Sequence, residues 1–324
     1  MNHNHIQHAC SLPIENGGEL LTSEQARDML QADELAWVHL DATHEATEPW
    51  LKENVSYLDE FIIHALLADE TRPRFEVVGN GALIILRGVN LNENADPEDM
   101  ISIRIWVDPH RIITTGRRPL KAVLDVRELI LKGKHVHNSG GFLTAIVSRL
   151  IERMEPTLQQ LDDAADVVEA KVLDEPNKRL RSEIVDIRQD AILLRRYIAP
   201  QKDAVSKIRN ADLDWLDTKH KRSLQESYDR LLRYVEDLDT VRERAQIVQD
   251  ELSNTLSDML NKNMYILSVI AAIFLPLGFL TGLLGINVGG IPGTEDSNAF
   301  AIVCGLLTVI VLLQVLLFKK MKWF

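Results

Sequence analysis

Two apolar segments near the C-terminus constrain this chain most. They run from Met264 to Leu284 and from Ala299 to Phe318, and Glu295 and Asp296 in the connecting turn are the only charged residues of this hairpin. A helix of about 20 residues is roughly 30 Å long, which matches the hydrocarbon core of a bilayer. The sequence therefore predicts two transmembrane helices, 264–284 and 299–318, joined by an external loop, 285–298.

The rest of the chain is polar and acidic. The 324 residues have a mean hydropathy of −0.07 and a formal net charge of −12. Such a chain is too polar to cross a membrane many times, so a large soluble part must precede the hairpin. An acidic surface disfavours nucleic acid as a partner and is compatible with cations.

Charges flanking the hairpin predict its orientation. Lys262 precedes the first span, the basic tail 319–324 follows the second with Lys319, Lys320 and Lys322, and the loop has no cation. Positive charge favours the cytoplasmic side, so we expect both termini in the cytoplasm. Residues 1–14 show no signal peptide, which agrees with this orientation. The three lysines are membrane anchors or, if several copies assemble, a basic collar that gates the inner mouth.

Motifs for enzymatic chemistry are absent from the sequence. Cys10 and Cys304 are the only cysteines. One lies near the N-terminus and the other inside the second apolar segment, so they are not expected to pair, which is typical of a reducing compartment. The sequence has no Cys-x-x-Cys pair, no Walker A motif and no recognisable nucleophile with a base. We therefore expect neither an enzyme nor a bound cofactor.

Residues 1–140 read as an α/β domain. Gly, Asn, Asp and Pro separate short β-rich runs, and the apolar spacing of Asn54–Asp69 suits a helix. The predicted strands are Ala36–Leu40, Phe75–Val78, Ala82–Val89, Ile101–Val107 and Arg111–Thr115. The pattern predicts a sheet covered by helices.

Residues 141–263 have helical periodicity. The pattern predicts helices over 141–173 and 177–199 and a third that starts near Thr218 and meets no Gly or Pro before Pro276. About 60 residues at 1.5 Å each make this last helix roughly 90 Å long. A lone helix of that length needs neighbours in water, so we expect a stalk in which several copies bundle.

One face of the first span is rich in small residues. Reading back from Gly285 in steps of three and four, it consists of Gly282, Gly278, Leu275, Ala271, Leu267 and Met264. Such a face allows close packing between spans, or it lines a pore. Two spans cannot enclose a pathway, so a pore requires an oligomer, which the stalk also predicts. The same face continues as the polar residues Asn261, Ser257, Asn254 and Asp250.

The external turn holds the residues best suited to select a cation. Asn287 offers a side-chain carbonyl, and a ring of such groups from several subunits would form a selective mouth. Glu295 and Asp296 either attract cations toward it or are ordinary solvated loop acids.

At Gly285-Ile286-Asn287 the chain resembles the CorA-type metal-ion transporter superfamily, which is marked by Gly-Met-Asn at this place. Ile286 replaces the Met, and Gly290-Ile291-Pro292-Gly293 replaces the Met-Pro-Glu of the magnesium branch. These departures resemble the zinc-transporter branch called ZntB. The segments Trp37–Leu40, Glu70–Arg74 and Arg195–Gln201 resemble the same branch.

The resemblance implies a bacterial inner-membrane homopentamer with a cytoplasmic α/β/α domain, a funnel of long helices and an inner ring of first spans. Asn287 would form the entrance, and Gly278, Leu275, Leu267 and Met264 match the family's pore face. The implied cargo is Zn²⁺, driven by a proton gradient and without nucleotide hydrolysis. The alternatives are a magnesium or cobalt channel of the same architecture and a membrane-tethered interaction or sensor protein.

The histidines receive a different interpretation. His3, His5, His8 and Cys10 are all zinc-capable ligands, but nothing in the sequence frames them, so we predict a mobile tail, with a weak zinc-capturing arm as the alternative. His39 reads as a hydrogen-bonded structural residue on a strand. The spans contain no His, Asp or Glu, which favours passage of a hydrated ion and leaves proton coupling without an intramembrane relay.

Overall fold

The computed structural model of the protein describes residues 5–12, 17–69, 71–134, 136–285, 293 and 297–320. These residues fall into two compact units, Met1–Asp250 and Glu251–Phe324.

A six-stranded mixed sheet organises the first unit. Its strands are β1 (Ile6–Ser11), β2 (Ala36–Asp41), β3 (Arg74–Val78), β4 (Gly81–Gly88), β5 (Ile101–Val107) and β6 (Arg111–Gly116). Their spatial order is β1-β2-β6-β5-β4-β3, with β2 and β6 parallel and every other pair antiparallel. Strands β2, β4, β5 and β6 are buried along almost their whole length, which requires helices on both faces.

Helices cover both faces of this sheet. On one side lie α1 (Ser23–Gln31), α2 (Thr47–Asn54) and α3 (Glu60–Leu67), whose core includes Leu30 and Leu66 packed with Val38 of β2. On the other side lie α4 (Lys121–Leu131) and α5 (Ser139–Glu152), where the ring of Phe142 packs 5.1 Å from that of Trp37. Successive residues of β2 thus supply both cores, and the predicted α/β/α sandwich is confirmed.

Local signals fix where several of these helices begin. Thr22 and Gln25 form a reciprocal capping box at the start of α1. The side chains of Asp59 and Asn138 accept hydrogen bonds from backbone N–H groups at the starts of α3 and α5. Each cap satisfies donors that the first turn of a helix leaves free.

All five predicted strands are present, with bounds within two residues of those expected. The predicted helix over Asn54–Asp69 is wrong at its start, because α2 ends at Asn54 and a separate helix, α3, begins at Glu60. Strand β1 was not predicted. It pairs with β2, so the prediction of a mobile N-terminal tail is wrong for Ile6–Ser11.

The helical region differs from prediction at two prolines. The predicted helix 141–173 is two helices, α5 and α6 (Glu155–Asp174), because Pro156 starts a new helix more readily than it continues one. The predicted end at Ala199 is wrong, since α7 (Leu180–Asn210) runs through Pro200. Gln201, one residue later, is buried and accepts a 2.6 Å hydrogen bond from the backbone N–H of Arg87 in β4, so tertiary contacts stabilise the helix there.

Helix α8 (Thr218–Leu284) begins where the sequence predicts and ends at the predicted end of the first span. In the second unit it is followed by α9 (Ala299–Lys320). Their most apolar 18-residue stretches have mean hydropathies of 2.3 and 2.8, and almost none of their residues is buried within the chain. Length, composition and exposure are those of membrane-spanning helices.

Candidate ion pathway along the first membrane helix

The predicted pore face of α8 is the exposed side of the helix within one protomer. Leu275 is 74% exposed, Leu267 68% and Met264 63%. The small residues of this face are exposed as well, namely Ala271, Gly278, Gly282 and Gly285. Nothing in the described part of the second unit therefore covers this face.

Helix α9 packs on the opposite side of α8. The buried and half-buried residues of the span recur at helical spacing and are Val269, Ala272, Ile273, Pro276, Leu277 and Leu280. At 3.6 residues per turn, this set and the predicted pore face lie on opposite sides of the helix. The half-buried stripe of α9 is Val303, Leu307, Ile310, Val311, Gln314 and Phe318.

The glycines of α8 are not needed for packing against α9. A Cβ atom placed on Gly278 or Gly282 would meet no atom within 4 Å. At a tight helix–helix contact, a Cβ atom added to a glycine would instead collide with the neighbouring helix. Packing between the two spans of one chain, the alternative interpretation of the glycine face, is not seen in this structure.

The serine and threonine hydroxyls in the spans bond to their own helices. Ser268 donates to the carbonyl oxygen of Met264, Thr281 to that of Leu277 and Thr308 to that of Cys304. These bonds satisfy the hydroxyls in hydrocarbon, but they leave no strong cation ligand aimed at the exposed face of α8. The described part of that face can offer an ion space and a smooth wall.

At the end next to the connecting loop, α8 ends at Leu284, and the N–H of the following residue, Gly285, donates to the carbonyls of Thr281 and Gly282 at 3.0 and 3.2 Å. The predicted entrance residues Ile286 and Asn287 lie outside the described residues, as do Glu295 and Asp296.

At the end of α9 away from the connecting loop, Lys319 and Lys320 are the exposed last residues of the helix, and Lys322 lies outside the described residues. The predicted polar continuation of the pore face is also exposed at each position, Asn261, Ser257, Asn254 and Asp250.

The N-terminal zinc-capable residues are held apart by the sheet. His8 and Cys10 are on β1 opposite His39 and Trp37 of β2, and the rings of His8 and His39 stack 5.9 Å apart. His5 instead approaches Trp50 of α2, on the other side of the sheet. His3 lies outside the described residues, and no group of three or more His, Cys, Asp or Glu suited to a metal occurs within them.

Electrostatics also oppose zinc binding at β1. Burial raises the pKa of the Cys10 thiol to about 11, which disfavours the thiolate that zinc requires. The pKa of His8 is lowered mainly by burial and secondly by the positive charge of Arg127, which also repels a metal cation. The structure does not bring the three described members of the predicted quartet, His5, His8 and Cys10, together as a site.

His39 is the structural residue that the sequence predicts. It is buried, and its Nδ1 lies 2.8 Å from Oγ1 of Thr114, which also accepts a hydrogen bond from Nε1 of Trp37.

Two polar residues escaped the sequence analysis. Arg244 of α8 forms ion pairs with Asp162, Asp166 and Glu169 of α6. The spacing of these three acids by four and three residues is a readable signal for one acidic helix face. Gln314 is the other, and an amide inside an apolar span is itself a signal.

Comparison with known proteins agrees with this architecture. The sequence profile of the family described as "CorA-like Mg2+ transporter protein" matches residues 32–320. The chain is 35% identical to the zinc transport protein ZntB of Yersinia enterocolitica over 94% of this chain and 92% of that one. It is 36% identical to the divalent cation transporter CmaX of Pseudomonas aeruginosa over 91% and 89% of the two chains.

The solved structure of full-length CmaX superposes on this chain with a TM-score of 0.85 at 32% identity, covering 100% of both chains. The likeness thus includes the sheet, the long helix and both apolar C-terminal helices. The chain belongs to the CorA-like family of membrane transporters.

Proposed function

We propose that the chain assembles as a homopentamer in the bacterial inner membrane and conducts divalent cations, zinc by preference, along an axis lined by α8. The observation that carries this proposal is the position of α9 on the side of α8 opposite the glycine-bearing face. That arrangement leaves the face free to meet the same face of other subunits. Both termini would be cytoplasmic, as the flanking lysines predict.

The preference for zinc rests on two supports. One relative that matches most of the chain is named a zinc transport protein, and another a divalent cation transporter. In addition, Ile286 stands where the magnesium relatives carry Met. Zinc coordination by protein would need His, Cys or carboxylate ligands. The apolar spans contain no His, Asp or Glu and a single Cys, Cys304 of α9, so the ion would pass with its water shell largely retained.

The entrance would be a ring of Asn287 side chains. Their carbonyl oxygens would accept hydrogen bonds from the water shell of the ion. Glu295 and Asp296 would raise the local concentration of cations. The proposal includes coupling to a proton gradient, and neither span contains a His, Asp or Glu that would relay protons.

Magnesium is the second candidate cargo. It is favoured by the description of the matching family, which names Mg²⁺. Because the architecture is common to both cargoes, only a direct comparison of fluxes separates them.

Flux measured in proteoliposomes tests the proposal. The purified protein is reconstituted with a zinc-sensitive dye inside, and external Zn²⁺ is added alone, with excess Mg²⁺, and with or without a pH gradient. We expect zinc flux that Mg²⁺ inhibits weakly and that an imposed pH gradient changes. Flux of Mg²⁺ equal to or greater than that of Zn²⁺ would transfer the assignment to magnesium, and an absence of both fluxes would remove the transport function.

The oligomeric state has its own test. Native mass spectrometry of the detergent-purified protein should show a species of five 36.7 kDa chains. A predominant dimer or monomer would contradict the pentameric pore.

A further inference from the structure

Pro276 leaves one backbone carbonyl of α8 without its usual partner. It lies inside the continuous helix, and proline has no N–H to donate to the carbonyl four residues earlier, that of Ala272. In hydrocarbon no water replaces the missing donor, and an unpaired carbonyl there is costly. A membrane helix that keeps such a proline needs a donor from elsewhere.

Gln314 of α9 supplies a donor at this place. Its Nε2 atom lies 3.4 Å from the carbonyl oxygen of Ala272, a long hydrogen bond that joins the two membrane helices. The hydroxyls of Ser268, Thr281 and Thr308 bond within their own helices, so they are not available to Ala272.

The soluble part of the chain offers an internal comparison. Pro200 lies inside α7 in the same way and frees the carbonyl of Arg196. Arg196 is an exposed residue of the soluble part, where water is available as a donor, whereas Ala272 is half-buried against α9 in an apolar span. The membrane proline therefore depends on a side chain where the soluble one does not.

The position of this contact relates it to the pathway. Ala272 and Pro276 belong to the covered side of α8, at the same level along the helix as Ala271 and Leu275 of the predicted pore face. A change in helix direction at Pro276 would move that face relative to the axis. The amide oxygen Oε1 of Gln314 is buried and has no partner in the described part of the chain. The bond to Ala272 is therefore the hydrogen bond that the buried amide makes at this place.

We propose that Gln314 is a positioning residue for transport: its side-chain N–H replaces the N–H that Pro276 lacks and fixes the course of α8 behind the pore face. The role in transport rests on the proposed function, whereas the contact itself does not. Loss of the amide leaves the Ala272 carbonyl unpaired in the membrane and lets α8 change direction at Pro276. The entrance at Asn287 is not altered.

A double-mutant cycle tests this contact. Gln314→Met keeps the length of the side chain but removes the donor, and Pro276→Ala restores a backbone N–H for Ala272. We expect Q314M to lower the thermal unfolding midpoint of the detergent-purified protein when Pro276 is present and to leave it unchanged in the P276A background. Thr308→Val is the matched control, because that hydroxyl bonds within α9, and it should leave the midpoint near that of the unmodified protein.

Zinc flux into proteoliposomes is the second readout. We expect Q314M to reduce the maximal rate by roughly three- to eighteenfold, the range spanned by interhelical side-chain hydrogen bonds, at an unchanged half-saturating concentration. In the P276A background the same change should have no effect on flux.

Equal effects of Q314M on unfolding in both backgrounds would overturn the contact. An unfolding cycle as expected together with a Q314M rate equal to that of the unmodified protein would overturn the positioning role. If P276A itself abolishes flux, the positioning role stands or falls on whether Q314M alone lowers the rate. An unmodified protein without flux of any divalent cation would instead defeat the proposed function, while the unfolding cycle would still report on the contact.

Discussion

Nη2 of Arg244 in α8 lies 2.7 Å from Oε2 of Glu169 in α6. The same guanidinium contacts Asp166, and its Nη1 lies 3.3 Å from Asp162, so one cation serves three carboxylates on one face of α6. Hydrogen bonds to Asp166 and Glu169 raise the pKa of Arg244 above its ordinary value. Arg244 therefore offsets repulsion among acids that would otherwise face one another.

Replacing Arg244 by Met should destabilise the protein by about 1 kcal/mol, a modest value because all four side chains are partly solvated. Thermal unfolding of the full chain in detergent measures the loss of stability. High salt should reduce the difference between the variant and the unmodified protein, because salt screens the repulsion among the remaining acids. Arg222→Met is the control, since Arg222 is exposed and forms no ion pair among the described residues. Equal shifts for the two variants would contradict a specific role for Arg244.

Stability should fall as the pH drops from 6.5, and His39 is the main reason. Burial, helped by the nearby His8, lowers the pKa of His39 from 6.5 to about 3. Between those values the unfolded chain binds a proton that the folded chain does not, so stability is present above pH 6.5 and is lost on acidification. The loss from this residue is up to about 1.4 kcal/mol per pH unit.

His39→Gln tests this assignment, because Gln cannot titrate and keeps a polar group near Thr114. The variant should unfold with a shallower dependence on pH between 6.5 and 3, measured as the unfolding free energy in denaturant. His5, His8 and His220 also have lowered pKa values, mainly through burial, so part of the slope should remain. A slope equal to that of the unmodified protein would show that His39 is not the titrating group.

Hydrophobic periodicity and punctuation were sufficient to predict most elements of the fold. The strands around Val38, Ile84, Ile105 and Ile113 are apolar runs bounded by turn residues, and each forms. Strand β1 was missed because its three polar residues, Gln7, His8 and Ser11, interrupt the apolar pattern, and only pairing with β2 stabilises it. A partner strand distant in sequence is a tertiary effect that local pattern does not encode.

The candidate pathway could be predicted only in part from the sequence. The glycine face of α8 and its exposure follow from spacing, but the side on which α9 packs does not, because α9 is apolar on all sides. Likewise, Gln314 is visible in the sequence as an amide in an apolar span, whereas its partner, the Ala272 carbonyl, is visible only in the structure.

Valine in place of Gly282 should lower zinc flux strongly while leaving the fold of each protomer intact. The added side chain meets nothing in its own chain, yet in a pentamer it would project toward the axis or the neighbouring α8. Gly305→Val on α9 is a matched control, because a Cβ there also meets open space and lies away from the predicted pore face. Similar fluxes for the two variants would contradict the assignment of the pore face.

Alanine in place of Asn287 should abolish zinc flux, because a methyl group cannot accept hydrogen bonds from the water shell of the ion. Flux in proteoliposomes is measured at matched protein content, with native mass spectrometry to verify assembly. Asn263→Ala is the control and should retain flux, because Asn263 is an exposed asparagine at the end of the first span away from the connecting loop. Undiminished transport by N287A would exclude Asn287 as the selective entrance.

Neutralising the basic collar should increase zinc flux. Lys319 and Lys320 end α9 with exposed side chains, and Lys322 follows them, so a pentamer would place fifteen positive charges near the inner mouth. Such a ring repels a divalent cation, and changing all three lysines to Gln removes that barrier. Because the same lysines favour a cytoplasmic C-terminus, protease accessibility in the same vesicles must show that the orientation is unchanged.

The comparison variant for the collar is Lys262→Gln, which removes a single charge before the first span. An unchanged rate at equal protein content and orientation would leave the lysines as membrane anchors without a role in gating.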